Sequence, residues 1–327
     1  MASNLTYHCS SNYLKQRDKM FALVGREYDS VNKMLYNSLY SGNPYGEPML
    51  GLCFDGETLV GQENYIPQNV ACNGTIYKGA LGINTLVDSR YRVLQGVFGK
   101  LCRLTIDQMS PEVDILCAFA NEESKPYYLK YFQWKIASQV RVYKKVTKYS
   151  GTNCESILSF FRPGKLHKAV TLEEVCEFDP GLLDPILEQQ VHDSSCLYFH
   201  KTSKFLNWKY LNNKYYRVRG YYIRDNGKIC GYCTTYDEGI EKKIVDILIE
   251  KNNRNIFKKV VSSVSHIARK QGLRRVVIHS TPGCWYEKTL QKLFFIKRWD
   301  YDFIIRPLNK KLQSNDWIIS IGDFDIF

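Results

Sequence analysis

Between Met49 and Val87 short apolar runs alternate with turn residues. "MLGLCFDGETLVGQENYIPQNV" reads as two strands around the Asp55-Gly56 hairpin signal, and "TIYKGALGINTLV" as a further strand. Upstream, "KMFALVGREYD" predicts a short strand and turn. "SVNKMLYNSLYSG" has helical spacing, ended by glycine and proline. After Val87 comes a basic turn, "DSRYRVLQGVFGKL", and then "KLCRLTIDQM", whose apolar residues recur at helical spacing to about Met109. "PEVDILCAFA" reads as a buried strand, "SKPYYLKYFQWK" as a short aromatic helix, and "VRVYKKVTKY" as a closing strand.

The second half repeats that order. "LLDPILEQQVHD" is helical, and "KYYRVRGYYIRDNGKICGYCTTYDE" is a hairpin turning at Asp225-Asn226-Gly227. "EKKIVDILIE" is a strand, and "NRNIFKKVVSSVSHIARKQG" a long amphipathic helix capped by Gly272. "LRRVVIHS" is a strand, "CWYEKTLQKLFF" a helix, and "WDYDFIIRPL" and "DWIISIGDFDIF" are closing strands. Strand, hairpin, strand, helix, strand, helix, strand thus occurs twice, a duplication of architecture with little identity between the halves. The expected organisation is an N-terminal domain over 1–150, a connection over 151–183 and a C-terminal domain over 184–327. The expected fold class is α/β of the α+β kind, each unit a mixed, mostly antiparallel twisted sheet flanked by helices.

Composition narrows the classes. No apolar run is long enough to span a bilayer, and the first residues have no signal-peptide core, so a cytoplasmic protein is expected. Eleven scattered cysteines then read as free thiols. The pair in "CGYC", Cys230 and Cys233, lies in a strand pattern, where residues three apart face opposite sides. Neither it nor the six isolated histidines has metal-ligand spacing, so no metal is expected. The net charge of +12 favours a polyanionic ligand, such as a phosphorylated cofactor or a nucleotide-sugar. Tyr and Lys are distributed within ordinary strand and helix patterns and no nucleic-acid motif appears, so nucleic acid is not expected.

The basic turn is the strongest chemical signal. A glycine-bearing turn at a helix entrance points free backbone N–H groups at whatever lies in front of it, and the helix dipole favours an anion there. Arg92 and Lys100 add positive charge, and Gly96 and Gly99 permit close backbone approach.

The order of elements, with this turn between the fourth strand and its helix, resembles the GNAT acyltransferase superfamily (GCN5-related N-acetyltransferases). Its members often carry "hPxYRGKGIFSKL" where this chain has "VDSRYRVLQGVFGKL". Tyr91-Arg92 match the Tyr-Arg, and Gln95 to Leu101 match the run that follows. The family's first glycine is absent, and one extra residue separates Arg92 from Gly96. "CAFANEESKPYYLKYFQWK" resembles the family's fifth strand and fourth helix. "FLNWKYLNNKYY" and the terminal "DWIISIGDFDIF" resemble the "NWRYxxxPxxxY" and "W…GDSD" segments of tandem members, which are often associated with bacterial surface-polysaccharide pathways.

The resemblance implies tandem GNAT-like units, with acetyl-CoA or another acyl-CoA as co-substrate and no metal. The turn residues Arg92, Val93, Leu94, Gln95, Gly96, Val97, Phe98, Gly99 and Lys100 would hold the pyrophosphate. Asn84, Thr85 and Leu86, late in the preceding strand, would pair with the pantetheine, and Asn121 would lie beside the cofactor. Tyr127 or Tyr128 would protonate the leaving thiolate. The second unit lacks a glycine turn, which implies one CoA site, in the first unit, and an acceptor pocket shaped by the second. Three residues are candidate general bases: Asp246 in the apolar run "KIVDILI", His279 at the end of "RRVVIHS", and Glu27 in the loop "GREYD". Trp208 and Tyr210 could stack on a sugar or a base. The implied activity is transfer of an acyl group to a primary amine, foremost that of a nucleotide-linked amino sugar. The rival readings are an amino-acid or peptide-amine acceptor, and a non-catalytic module that binds acyl-CoA or a protein.

Overall fold

The computed structural model describes residues 5–92, 96–147, 164–309, 312 and 316–324. They fall into two compact units that are not continuous in the chain. The first takes Met1–Val70, Tyr77–Ile136 and Phe303–Ser314, and the second takes Ala71–Ile76, Ala137–Asp302 and Asn315–Phe327.

The first unit opens with strand β1 (Leu5–Ser10) and two helices, α1 (Tyr13–Glu27) and α2 (Lys33–Tyr40). Helix α1 corrects the expected strand and turn over "KMFALVGREYD". The apolar run looks strand-like alone, but Tyr13, Gln16, Met20, Phe21, Leu23 and Val24 form one buried helical face. The Asn12 side chain, accepting from the Lys15 N–H at 3.0 Å, starts the helix well before that run. Strands β2 (Met49–Asp55) and β3 (Thr58–Pro67) form the expected hairpin, with Gly56 at φ 59° in its turn. Two three-residue strands, β4 (Val70–Cys72) and β5 (Thr75–Tyr77), lead to β6 (Gly79–Val87), α3 (Val97–Met109), β7 (Ile115–Ala118) and α4 (Lys125–Tyr131). The sheet runs β1-β2-β3-β6-β7, antiparallel except for the parallel pair β6/β7. The outer edge of β7 is paired by residues 304–307, at the end of the late strand that completes this unit.

Glycines let α3 lie close on the sheet. A Cβ on Gly51 would stand 2.2 Å from Thr105 Cγ2, and one on Gly61 would stand 2.8 Å from Val97 Cγ1.

The second unit contains β8 (Lys135–Val146), β9 (Val170–Val175), α5 (Pro180–Asp193), β10 (Leu197–Phe199) and α6 (Ser203–Leu206), which continues as a π turn over Asn207–Leu211. Then come β11 (Arg219–Asp225), β12 (Lys228–Glu238), β13 (Glu241–Ile249), α7 (Arg254–Lys270), β14 (Arg275–Ser280), α8 (Glu287–Lys292), β15 (Ile296–Pro307) and β16 (Trp317–Ile318). Its main sheet runs β8-β14-β13-β12-β11-β9, antiparallel except for β13/β14, and a small second sheet runs β16-β10-β4-β5. Beyond Ile318 the expected closing strand gives way to a 3₁₀ turn over Ile321–Asp323. Helix α7 buries Ile256, Phe257, Val260, Val261, Val264 and Ala268 on β13 and β14, each worth about 1.5–3 kcal/mol for the larger side chains. The mixed α/β architecture is that expected from the sequence. Among the described residues no helix is long and apolar enough to cross a membrane.

Candidate active site

The parallel pair of the first unit is short. β6 and β7 pair from Gly79↔Ile115 to Gly82↔Ala118, and β6 then runs on through Ile83–Val87 without β7 beside it. The edge left open is a row of backbone donors and acceptors that can take an extended ligand as an added strand. On its other side, Gln62 pairs Leu86 and Asn64 pairs Ile83. Two residues of β6, Asn84 and Thr85, therefore oppose Glu63 alone. This β-bulge puts Asn84 at φ 51° and leaves both residues outside the ladder register. The Gln62 side chain donates to the Asn84 carbonyl at 2.9 Å, and Asn84 donates to the Tyr40 hydroxyl at 3.1 Å.

On the α3–α4 face, the Thr85 hydroxyl lies 3.2 Å from the Tyr128 hydroxyl. Behind them sits Glu63, fully buried. Its carboxylate accepts from Tyr65 at 2.6 Å, from Tyr128 at 3.4 Å and from the Cys102 thiol. Burial pushes Glu63 above its ordinary value, against these three donors, and pushes Tyr128 well up. Tyr127 is 53% exposed and stands edge-on to Phe98. Of the two tyrosines, Tyr128 faces the open edge. Asn121 accepts from the Ser124 N–H and hydroxyl, both at 2.8 Å, ahead of α4. Glu63 escaped the sequence reading because its burial depends on helices α3 and α4. Its sequence neighbours Gln62 and Asn64 are polar, so no apolar run marked it as "KIVDILI" marked Asp246.

At the far end of β6, Asp88 accepts from both Arg90 and Arg26, and the Arg90 hydrogen bonds hold its carboxyl well below the usual range. Glu27 is the last residue of α1 rather than part of a loop. It accepts from the Ser89 N–H and pairs with Arg92, which also donates to the Val87 carbonyl. It thus shapes the turn. Val93, Leu94 and Gln95 lie outside the described residues. Gly96 begins α3 at φ 58°, with no side chain capping the helix and open space where a Cβ would stand. Uncapped N–H groups at Val97, Phe98 and Gly99, with Arg92 and Lys100 exposed nearby, suit an anion.

The second unit repeats the device and fills it. β13 and β14 pair from Glu241↔Arg275 to Ile244↔Ile278, β13 runs on to Ile249, and its register with β12 shifts just past the divergence. Asp246 occupies the place along β13 that Asn84 occupies along β6. It accepts from Lys201 at 2.6 Å, Tyr210 at 3.0 Å, Tyr232 at 2.9 Å and the Ile247 N–H, and Lys201 also pairs with Asp323 at 2.6 Å. Burial pushes the Lys201 ammonium down, but Asp246 and Asp323 hold it raised. The remaining cavity, about 40 Å³ among Lys201, Tyr232, Asp246, Ser320 and Asp323, has room for no more than a few waters.

This geometry corrects several sequence expectations. Asp246 is fully engaged in a structural ion cluster rather than poised as a base. His279 is half-buried beside Lys243 and Lys144, and desolvation pushes it down to about 3, a weak base at neutral pH. Tyr210 is sealed in the core against Gly322, so neither ring face is open to a ligand, while Trp208 is half-buried against Phe205. Cys230 and Cys233 do not face opposite sides. A bulge between Ile223 and Arg224 brings both into one core cluster, where burial raises both thiols. Among the described residues every cysteine is free, and no group of three His, Cys, Asp or Glu could hold a metal.

No family model matches the chain, and no curated protein matches it. Solved structures do. A probable N-acyltransferase from Enterococcus faecalis superimposes over 93% of this chain and 73% of its own, at 15% identity and a TM-score of 0.68. A GCN5-related N-acetyltransferase from Anabaena variabilis matches with the same coverage, identity and TM-score. An N-myristoyltransferase from Saccharomyces cerevisiae, with bound myristoyl-CoA, matches over 94% of this chain and 80% of its own, at 11% identity and a TM-score of 0.60. The fold is that of the GCN5-related N-acetyltransferases.

Proposed function

We propose that this protein is an acyl-CoA-dependent N-acyltransferase with its cofactor in the first unit. The observation that carries the reading is the open edge of β6 beyond Gly82, bulged at Asn84 and ending before an uncapped helix N-terminus. A CoA thioester has the two features this shape suits: an extended amide chain that adds to the edge of Ile83–Val87, and a pyrophosphate for the turn at Arg92 to Lys100.

In this mechanism the amine nitrogen attacks the thioester carbonyl carbon. The developing oxyanion is held by a backbone N–H that the bulge frees from the ladder. As the C–S bond breaks, Tyr128 gives its hydroxyl proton to the thiolate and is restored by the proton that the attacking nitrogen loses as the amide forms, while Glu63 fixes the phenol from behind. The acceptor is a primary amine. A nucleotide-linked amino sugar is the favoured case, since the charge of +12 suits two polyanions, and the reaction belongs to the cytoplasm, which keeps the cysteines reduced.

Calorimetric titration of acetyl-CoA tests the reading with a pair of similar shape. Asparagine and aspartate both tolerate the left-handed conformation of Gly96, so Gly96→Asn and Gly96→Asp differ chiefly in charge. Binding to wild type and to Gly96→Asn, weakened at least about tenfold (about 1.4 kcal/mol) in Gly96→Asp, is expected. Equal affinities for the two variants would remove the anion from this turn.

A further inference from the structure

The bulge has a second face. Along β3, Glu63 and Tyr65 point toward α3 and α4, so Gln62 and Asn64 point to the α1–α2 side. Both are fully buried. Each spends its amide N–H within a small network: Gln62 on the Asn84 carbonyl, and Asn64 on the Tyr40 hydroxyl at 3.0 Å. Their oxygens, Gln62 Oε1 and Asn64 Oδ1, are sealed from water with no partner. An unpartnered buried acceptor costs about 1–3 kcal/mol, and here two stand side by side on one strand, directly across from the bulge.

From this we infer that Gln62 Oε1 and Asn64 Oδ1 hold the two N–H bonds of the attacking amine, and that the acceptor is an amine of low basicity. The inference rests on the acyltransferase reading and adds the acceptor's class. A neutral primary amine has two N–H donors and one lone pair. With both donors on the two oxygens, the lone pair is left for the carbonyl carbon. A carboxamide accepts a hydrogen bond but takes no proton at neutral pH. The amine must therefore shed its proton to water before it binds.

The titratable groups around this face are phenols: Tyr13 on α1, pushed up by burial, and Tyr36 and Tyr40 on α2. The charged groups are the exposed Arg17–Asp18 pair near Tyr13 and the exposed Glu47, which lines the adjoining 380 Å³ pocket with Tyr13 and Tyr40. From β2, the residues opposite are Leu50 and Leu52. An α-amine, ordinarily near 7.7–8.0, is then favoured over a lysine ε-amine near 10.4, by roughly 200-fold in neutral fraction at pH 7. Amino sugars and terminal amines fit; lysine side chains do not.

The test is binding, so it needs no turnover. Protein saturated with CoA is titrated at pH 7 with a 2-amino sugar, an amino-acid amide and an Nα-blocked lysine amide, in buffers of different ionisation enthalpy. The first two are expected to bind and to release a proton each, and the lysine compound to bind at least about 100-fold more weakly. Asn64→Leu is expected to lose amine binding while still binding CoA, which also reports that it folds. The isosteric Asn64→Asp, which offers a carboxylate, is expected to bind amine without proton release. Amines bound as ammonium by the wild type, binding unchanged in Asn64→Leu, or no amine bound by a protein that holds CoA would each overturn this inference alone. A wild type that does not bind CoA would overturn the acyltransferase reading and this inference with it.

Discussion

Tyr127 and Tyr128 are neighbours in sequence and opposites in surroundings. Tyr128 touches Thr85 and Glu63, whereas Tyr127 stands in solvent. Tyr128→Phe should lower kcat about 100-fold or more, the usual scale for a lost general acid, without weakening acetyl-CoA binding, whereas Tyr127→Phe should stay within about twofold; steady-state kinetics on both variants decides. Glu63 makes a separate prediction, on stability. Burial raises its carboxyl from 4.5. A raised acid supports the fold fully below its unfolded value, and the support is lost as pH rises through the folded value. The urea midpoint of Glu63→Gln should therefore fall less than that of wild type between about pH 5 and pH 8. At this scale the sequence showed residue types but not enclosure. It could name Asn84, Thr85 and both tyrosines through the resemblance, yet nothing in "GQENY" distinguishes a buried Glu63 from a solvated one until α3 and α4 cover it.

Hairpins and amphipathic helices were legible because their signals are local. Asp55-Gly56, Asp225-Asn226-Gly227 and the apolar stripe of α7 each carry their own geometry. The bulges and the divergence of β6 from β7 were not, since register belongs to pairs of strands and not to either one. The close seat of α3 is likewise a property of two elements. Gly51→Val would drive a side chain into Thr105. It should cost about 1–3 kcal/mol by overpacking and, by lifting the helix that carries the anion turn, weaken acetyl-CoA binding as well. Thermal melts and calorimetry on the one variant test both.

For the molecule as a whole, the repeated order of elements was visible in sequence, and the two short parallel pairs, each followed by a free run of strand, express it in structure. What differs is the filling. In the second unit a buried ammonium between two carboxylates sits at the divergence. Removing its centre, Lys201→Met, would leave both carboxylates without their cation and should cost about 3–5 kcal/mol, seen as a lower denaturant midpoint. That the first unit takes in residues from Phe303 onward was hidden for a simpler reason: Ile304 pairs with Ala118, a partnership across most of the chain that no local pattern announces.

That pairing sets an order of assembly. A ribosome emits β1 to β7 early, but the strand that covers the outer edge of β7 emerges only after β8 to β14. Throughout the intervening synthesis, the half of the protein that carries the open β6 edge also carries a bare β7 edge, a template for any other extended chain. The nascent chain must be kept from pairing with strangers until β15 arrives, and a premature stop before Phe303 would leave that edge bare for good.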